Sequence, residues 1–174
     1  MSNYKTKLRQ IKAFVFDVDG VFTDGTVLVT ESGDLLRAHH AKDGYAIRCA
    51  VKEGYPVGII TGGVSLTITK RFETLSVPDV YLGAHEKMEP FLHFCTKYQL
   101  DPAEVLYMGD DIPDLEVMQA CGLPCAPSDA APEVLKAALY ISRYAGGKGC
   151  VREVVEQTLR LHGKWCVDTQ VTST

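Results

Sequence analysis

The chain has 174 residues, 46% hydrophobic and 23% charged, with a formal net charge of −4. That length suits a single domain over 1–174 with one full core, and the composition excludes a disordered or fibrous chain. The acidic balance, with no dense Lys/Arg run, argues against nucleic acid as a partner, and no apolar run reaches the roughly 18 residues that a membrane span needs.

The opening Met1–Gln10 is polar and lacks the apolar stretch of a signal peptide, which predicts a cytoplasmic protein. From there short apolar runs alternate with segments of helical period. Ala13–Asp17, Pro56–Thr61, Asp79–Leu82, Val105–Gly109, Leu123–Ala126 and Leu139–Ile141 read as buried strands. Between them Tyr45–Glu53, Ser65–Leu75, Lys87–Tyr98, Ile112–Ala120 and Ala131–Ala137 read as helices, with a last one from Val151 to His162. This order predicts an α/β fold, a Rossmann-like doubly wound parallel sheet with helices on both faces. One interval breaks the alternation. Thr26–Thr30 and Leu35–His39 are β-rich arms around the turn Glu31-Ser32-Gly33-Asp34, so a β-hairpin flap should project just after the first strand. No second long insertion exists to build a cap domain, so any lid is that hairpin or comes from another subunit. The tail Trp165–Thr174 is polar beyond its start and is expected to fray.

The six cysteines (Cys49, Cys95, Cys121, Cys125, Cys150, Cys166) include no C-x-x-C pair and sit mostly among apolar neighbours, so they read as reduced core thiols. His39 and His40, adjacent in a predicted strand, should face opposite sides and read as structural; His85 reads as a loop residue.

The chemistry lies where the strands end. Phe14–Gly25 runs from an apolar strand into Asp17 and Asp19, and Gly20 permits the kink that would turn both carboxylates to one crevice. Thr61-Gly62-Gly63 offers a hydroxyl and open backbone N–H groups that can cradle a phosphate. Lys87, opening the next helix but one, is a point charge suited to a phosphoryl oxygen. Gly109-Asp110-Asp111-Ile112-Pro113-Asp114 adds carboxylates of the kind a hard cation needs. Taken singly these are an acidic turn, a capping threonine, a surface lysine and a helix N-cap acid. Taken together they form a phosphoryl-transfer site, in which positioning and charge neutralisation do most of the catalysis. One carboxylate would attack phosphorus, and a second acid would protonate the leaving alkoxide and then activate water.

The set Asp17-x-Asp19, Thr61, Lys87 and Gly109-Asp110-Asp111-x-x-Asp114 resembles the four motifs of the haloacid dehalogenase superfamily phosphatases. The resemblance implies Asp17 as nucleophile and Mg²⁺ ligand, Asp19 as general acid/base whose carbonyl also meets the metal, and Asp110 as the remaining protein ligand. It implies that Thr61, Gly62 and Lys87 hold the phosphoryl group, with Asp111 and Asp114 orienting Lys87 or metal-bound waters. A receiver domain uses similar groups in another order, with its acid pair first and its lysine near the end. A silent regulatory domain would be free to lose the acids and lysine kept here.

Phe16–Gly25, Lys42–Arg48, Leu106–Met118 and Gly146–Gln157 carry a narrower resemblance over nearly the whole chain. They are similar to a capless branch of that superfamily that dephosphorylates eight-carbon sugar-acid phosphates in lipopolysaccharide precursor synthesis; nine-carbon acids are the alternative substrates. The likeness implies a homotetramer in which Gly146–Arg152 of one subunit approaches the next subunit's site. Lys42 and Gly63 stand where that branch usually has arginine, and lysine lacks the fork that grips a carboxylate. Lys42, Lys148 and Arg152 are therefore the candidates for holding the sugar-acid carboxylate.

Overall fold

Six of the apolar runs pair as parallel strands: β1 (Ala13–Phe16), β4 (Val57–Ile60), β5 (Asp79–Tyr81), β6 (Val105–Met108), β7 (Leu123–Ala126) and β8 (Tyr140–Ile141). The computed structural model describes residues 4–165, so Cys166 and the rest of the tail expected to fray lie outside the described residues. The sheet order is β5-β4-β1-β6-β7-β8. Thus the chain steps outward from β1 through β4 to β5, then returns to lay β6 on the other side of β1. Where strand order reverses in this way, the loops after the two central strands diverge and leave a crevice at their carboxyl ends.

Every residue of β1 is fully buried because both faces of the sheet are covered. Phe14 and Phe16 face a core formed with α2 (Ala41–Lys52), α3 (Leu66–Thr74) and α7 (Cys150–Leu161). Ala13 and Val15 face the opposite core, built by α4 (Met88–Lys97), α5 (Leu115–Ala120) and α6 (Pro132–Ala137). Burying each such large side chain contributes about 1.5–3 kcal/mol, which anchors the strand whose next residue is Asp17. The predicted doubly wound sheet is therefore present, with helices on both faces. Among the described residues no helix is long and apolar enough to cross a membrane, and the free cysteines Cys49, Cys95, Cys125 and Cys150 are buried.

Three local expectations are corrected. The hairpin flap forms, but it pairs only β2 (Leu28–Val29) with β3 (Leu35–Leu36). His39 and His40 are not in a strand: the His39 ring turns inward against Phe72 at 6.1 Å, which pulls the chain out of the ladder, and His40 is the residue preceding α2. Helix α2 starts at Ala41, earlier than Tyr45, because buried Asp43 in its first turn accepts the Arg152 N–H of α7 at 2.7 Å and binds the two helix ends together. A short helix, α1 (Tyr4–Leu8), also precedes β1; it is held by buried Leu8 and by Tyr4 against Tyr140 at 4.7 Å.

Candidate active site

Asp17 is the first residue past β1, and its N–H donates to Met108 O at 3.0 Å, so the ends of the two central strands fix its backbone. The chain then turns tightly, with the N–H groups of Val21, Phe22 and Thr23 all directed to Val18 O. Gly20 has φ +79°, and a Cβ there would lie 1.9 Å from Asp110 Oδ2. Only glycine lets this loop come so close to the loop after β6. Thr23 Oγ1 accepts from Gly20 N and Gly25 N and donates to Asp19 Oδ1 at 3.4 Å, bracing the second acid.

The loops after β1, β4, β5 and β6 line one hollow of about 380 Å³. It brings together Asp17, Asp19, Thr61, Gly62, Lys87, Asp110, Asp111 and Asp114. His85 also lines it. Lys87 is 6% exposed, and its Nζ lies 3.0 Å from Asp17 Oδ2 and 2.7 Å from Asp114 Oδ1. Asp17, Asp110 and Asp114 each present a carboxylate oxygen within 4.8 Å of the others. Asp114 differs from the other two, however, because its oxygens are already committed. Oδ1 accepts from Lys87 and from the Tyr107 hydroxyl at 2.5 Å, while Oδ2 accepts from the backbone N–H groups of Asp110 and Asp111 at 3.0 and 3.2 Å. Asp114 thus orients its neighbours, while Asp17, which also meets Lys87, and Asp110 line the hollow beside it. Asp111 caps the short turn that follows, accepting from Ile112 N at 2.8 Å.

Crowding of like charge is visible in the titration behaviour. Burial, reinforced by repulsion from Asp114 and opposed by Lys87, raises Asp17 to about 7. Burial and repulsion from Asp17 and Asp114 raise Asp110 to about 8. Burial alone would lower Lys87, but attraction to Asp17 and Asp114 outweighs it and carries the ammonium above its ordinary range. Two acids, one buried and one half-buried, whose ionisation is disfavoured in one pocket suit a bound cation, which would relieve the repulsion.

A haloacid dehalogenase-like hydrolase model matches residues 63–153, half of the chain. The chain belongs to the haloacid dehalogenase-like hydrolases. It is 39% identical to 3-deoxy-D-manno-octulosonate 8-phosphate phosphatase of Escherichia coli over 158 residues, spanning 91% of this chain and 84% of that protein. The structure of the same enzyme from Yersinia pestis superposes with a TM-score of 0.91 at 35% identity, covering 94% of this chain and 88% of that one. A Moraxella catarrhalis phosphatase of this name, solved with magnesium, phosphate and KDO, superposes with a TM-score of 0.89 at 28% identity, covering 92% of each chain.

Not every predicted residue of this haloacid dehalogenase-like hydrolase meets the hollow. Lys42, Lys148 and Arg152 line a second, larger hollow of about 580 Å³ between α2 and α7, which shares no residue with the first. Lys148 approaches Asp24 at 3.7 Å; Arg152 pairs with Glu156 at 3.0 Å and stacks over Trp165 at 5.4 Å. Gly146 and Gly147 pack on their own chain, with Gly147 N donating to Val21 O at 2.9 Å. The acids of that hollow, Glu153 and Glu156, pair with Arg143, Arg152 and Arg160.

Two contributors escaped the sequence. Tyr107 reads as one more apolar strand residue, yet its hydroxyl supports Asp114. Arg37 lies in the flap, immediately after β3, and its Nε and Nη2 grip both oxygens of Asp19 at 2.7 and 2.9 Å. A single arginine at the base of an otherwise apolar arm was the one signal available.

Proposed function

We propose that this chain is a magnesium-dependent phosphatase acting on a sugar-acid phosphate, 3-deoxy-D-manno-octulosonate 8-phosphate, through an aspartyl-phosphate intermediate. The observation that carries the proposal is the convergence at the β1/β6 crevice of a buried carboxylate, Asp17, paired with a buried lysine, Lys87, beside Thr61 and a second acid, Asp19. Identity to the Escherichia coli octulosonate phosphatase across most of both chains supports the substrate. Asp17, Asp110 and the Asp19 carbonyl would hold the magnesium, consistent with the crowding of Asp17 and Asp110 in one pocket. When bound, the metal supplies positive charge to a phosphoryl oxygen and to the attacking carboxylate.

The chain's own groups then divide the work. Lys87, the Thr61 hydroxyl and the Gly62 N–H hold the phosphoryl oxygens and fix the phosphorus in line with Asp17. An Asp17 oxygen forms a bond to phosphorus as the bond to the sugar oxygen breaks, and Asp19 delivers its proton to that oxygen. Asp19 then takes a proton from water, which attacks the phosphoryl-aspartate and releases inorganic phosphate.

Selection of the sugar acid needs more surface than this hollow provides, and the flap suggests its source. Leu28, Val29, Leu35 and Leu36 are all exposed, Val29 by 70%, on a two-stranded ribbon that is marginally stable in isolation. A homotetramer joined through these ribbons would cover them and bring neighbouring subunits to each site. The test is steady-state phosphate release from the octulosonate 8-phosphate and from a nine-carbon acid 9-phosphate, with magnesium and after chelation. A preference for the nine-carbon substrate would reassign the substrate; equal rates with and without metal would overturn the mechanism.

A further inference from the structure

The hollow contains an interaction that none of the motifs anticipates. Asp19 is held by a side-on guanidinium fork from Arg37, with Nε at 2.7 Å from Oδ1 and Nη2 at 2.9 Å from Oδ2. The Arg37 side chain is 5% exposed and the Asp19 side chain 33%, so the fork is more deeply buried than the acid it grips. Its third nitrogen, Nη1, is buried with no hydrogen-bond partner among the described residues. A buried N–H group without an acceptor costs stability, and a buried ion pair is a weak source of it. Stability therefore does not account for this geometry.

We infer that Arg37 is a positioning residue for the acid/base step: it holds the Asp19 carboxylate, the form that takes the proton from water, in one orientation and ties that orientation to the flap. The inference rests on the role of Asp19 proposed above. A free aspartate at the mouth of a hollow samples several rotamers, whereas a two-point fork with a third contact from Thr23 Oγ1 allows one. Arg37 directly follows Leu36 of β3, so any movement of the ribbon moves the fork. Gly63 contributes to the fit, since a Cβ there would lie 3.4 Å from Arg37 Nη2 and 3.0 Å from Ile68 Cδ1, and a longer side chain would compete for the space.

The two halves of the reaction give a readout that a merely structural role would not move. A sugar alkoxide needs a proton to leave, whereas p-nitrophenolate leaves unaided; in both cases the phosphoryl-aspartate must still be hydrolysed by water that Asp19 activates. Arg37→Ala should therefore lower kcat for the sugar-acid phosphate by about 100-fold, the low end of what general acid–base catalysis provides. With p-nitrophenyl phosphate the same variant should release a rapid burst of nitrophenolate, near one equivalent per active site, before slow turnover. Arg37→Lys keeps the charge but cannot span both oxygens, and should fall between the wild type and Arg37→Ala while remaining folded by thermal melt. Asp19→Asn serves as the reference. A burst from Asp19→Asn but none from either Arg37 variant would overturn the positioning role alone. No burst from any of them, with no phosphoryl-enzyme trapped, would instead overturn the covalent reading of Asp17. Equal losses on both substrates without a burst would reduce Arg37 to a structural residue.

Discussion

Replacing Asp114 by asparagine tests whether this residue is a fully used structural acceptor. In the native structure one fully buried carboxylate serves four donors: Lys87 Nζ, the Tyr107 hydroxyl and two backbone N–H groups. Asparagine keeps one acceptor oxygen, enough for the two backbone groups, and turns an NH₂ toward Lys87 and Tyr107. Hydrogen bonds to charged groups contribute about 1.5–3 kcal/mol each, and orphaning a buried charge costs about 3–5 kcal/mol. Lys87 still has Asp17 at 3.0 Å, so the low end applies, about 3 kcal/mol. At roughly 2–4 °C per kcal/mol for a domain of this size, Tm should fall by about 6–12 °C. Tyr107→Phe should cost about 2 kcal/mol by loss of one charge-assisted bond. Because the two variants share that bond, the double variant should cost less than their sum by about 1 kcal/mol or more. Thermal and urea denaturation in EDTA, which removes any contribution from metal binding, measure all three. A melt for Asp114→Asn within about 1 °C of wild type, or strict additivity in the double variant, would refute the four-donor account.

Asp17→Asn should stay folded and lose turnover, because the amide keeps the shape and removes the nucleophile; appreciable hydrolysis by that variant contradicts the covalent route. EDTA should abolish activity and Mg²⁺ restore it, with no need for a thiolate-seeking metal, since the proposed ligands are all oxygens; activity persisting through dialysis against chelator would count against them. Burial and the nearby Arg71 hold His39 down at about 4, so this residue's contribution to stability is present above its ordinary 6.5 and is lost as pH falls from there through 4. Urea titrations at pH 7 and 4.5 should show a smaller loss in His39→Gln than in wild type, and equal losses would exclude this histidine as a source of acid sensitivity. Leu28→Asp with Leu36→Asp should dissolve a ribbon-mediated tetramer, read by light scattering; an unchanged mass would place the interface elsewhere.

The sheet and the hollow were legible for the same reason. In a doubly wound sheet each fully buried strand is a continuous apolar run, and its functional residue comes within two residues of the run's end, so Asp17, Thr61 and Asp110 are marked by where hydrophobicity stops. What stayed hidden depends on distant contacts. The limits of β2 and β3 are set by where His39 buries its ring, and the start of α2 by an N–H from α7. Helix α1 has five residues and a largely polar surface; without Tyr140 and the core around Leu8 to dock on, nothing local marks it as helical. Arg37 reaches Asp19 across the flap, and no periodicity encodes such a pair. Lys42, Lys148 and Arg152 were singled out by charge and motif position, and within one chain they line the second hollow.

The contact between Gly146–Gly147 and the nucleophile loop has a consequence for anyone screening variants of this protein. A Cβ on Gly146 would sit 2.0 Å from the Gly20 carbonyl oxygen, and one on Gly147 2.7 Å from the Thr23 carbonyl carbon. Both obstacles are main chain, which no rotamer change can clear. An alanine at either position should therefore be scored as an active-site lesion although it meets no reacting atom, and a second-site suppressor should map to the Gly20–Asp24 turn rather than to α7. A mutational scan would thus draw the boundary of the catalytic unit through the chain's last third, well past the final acidic motif.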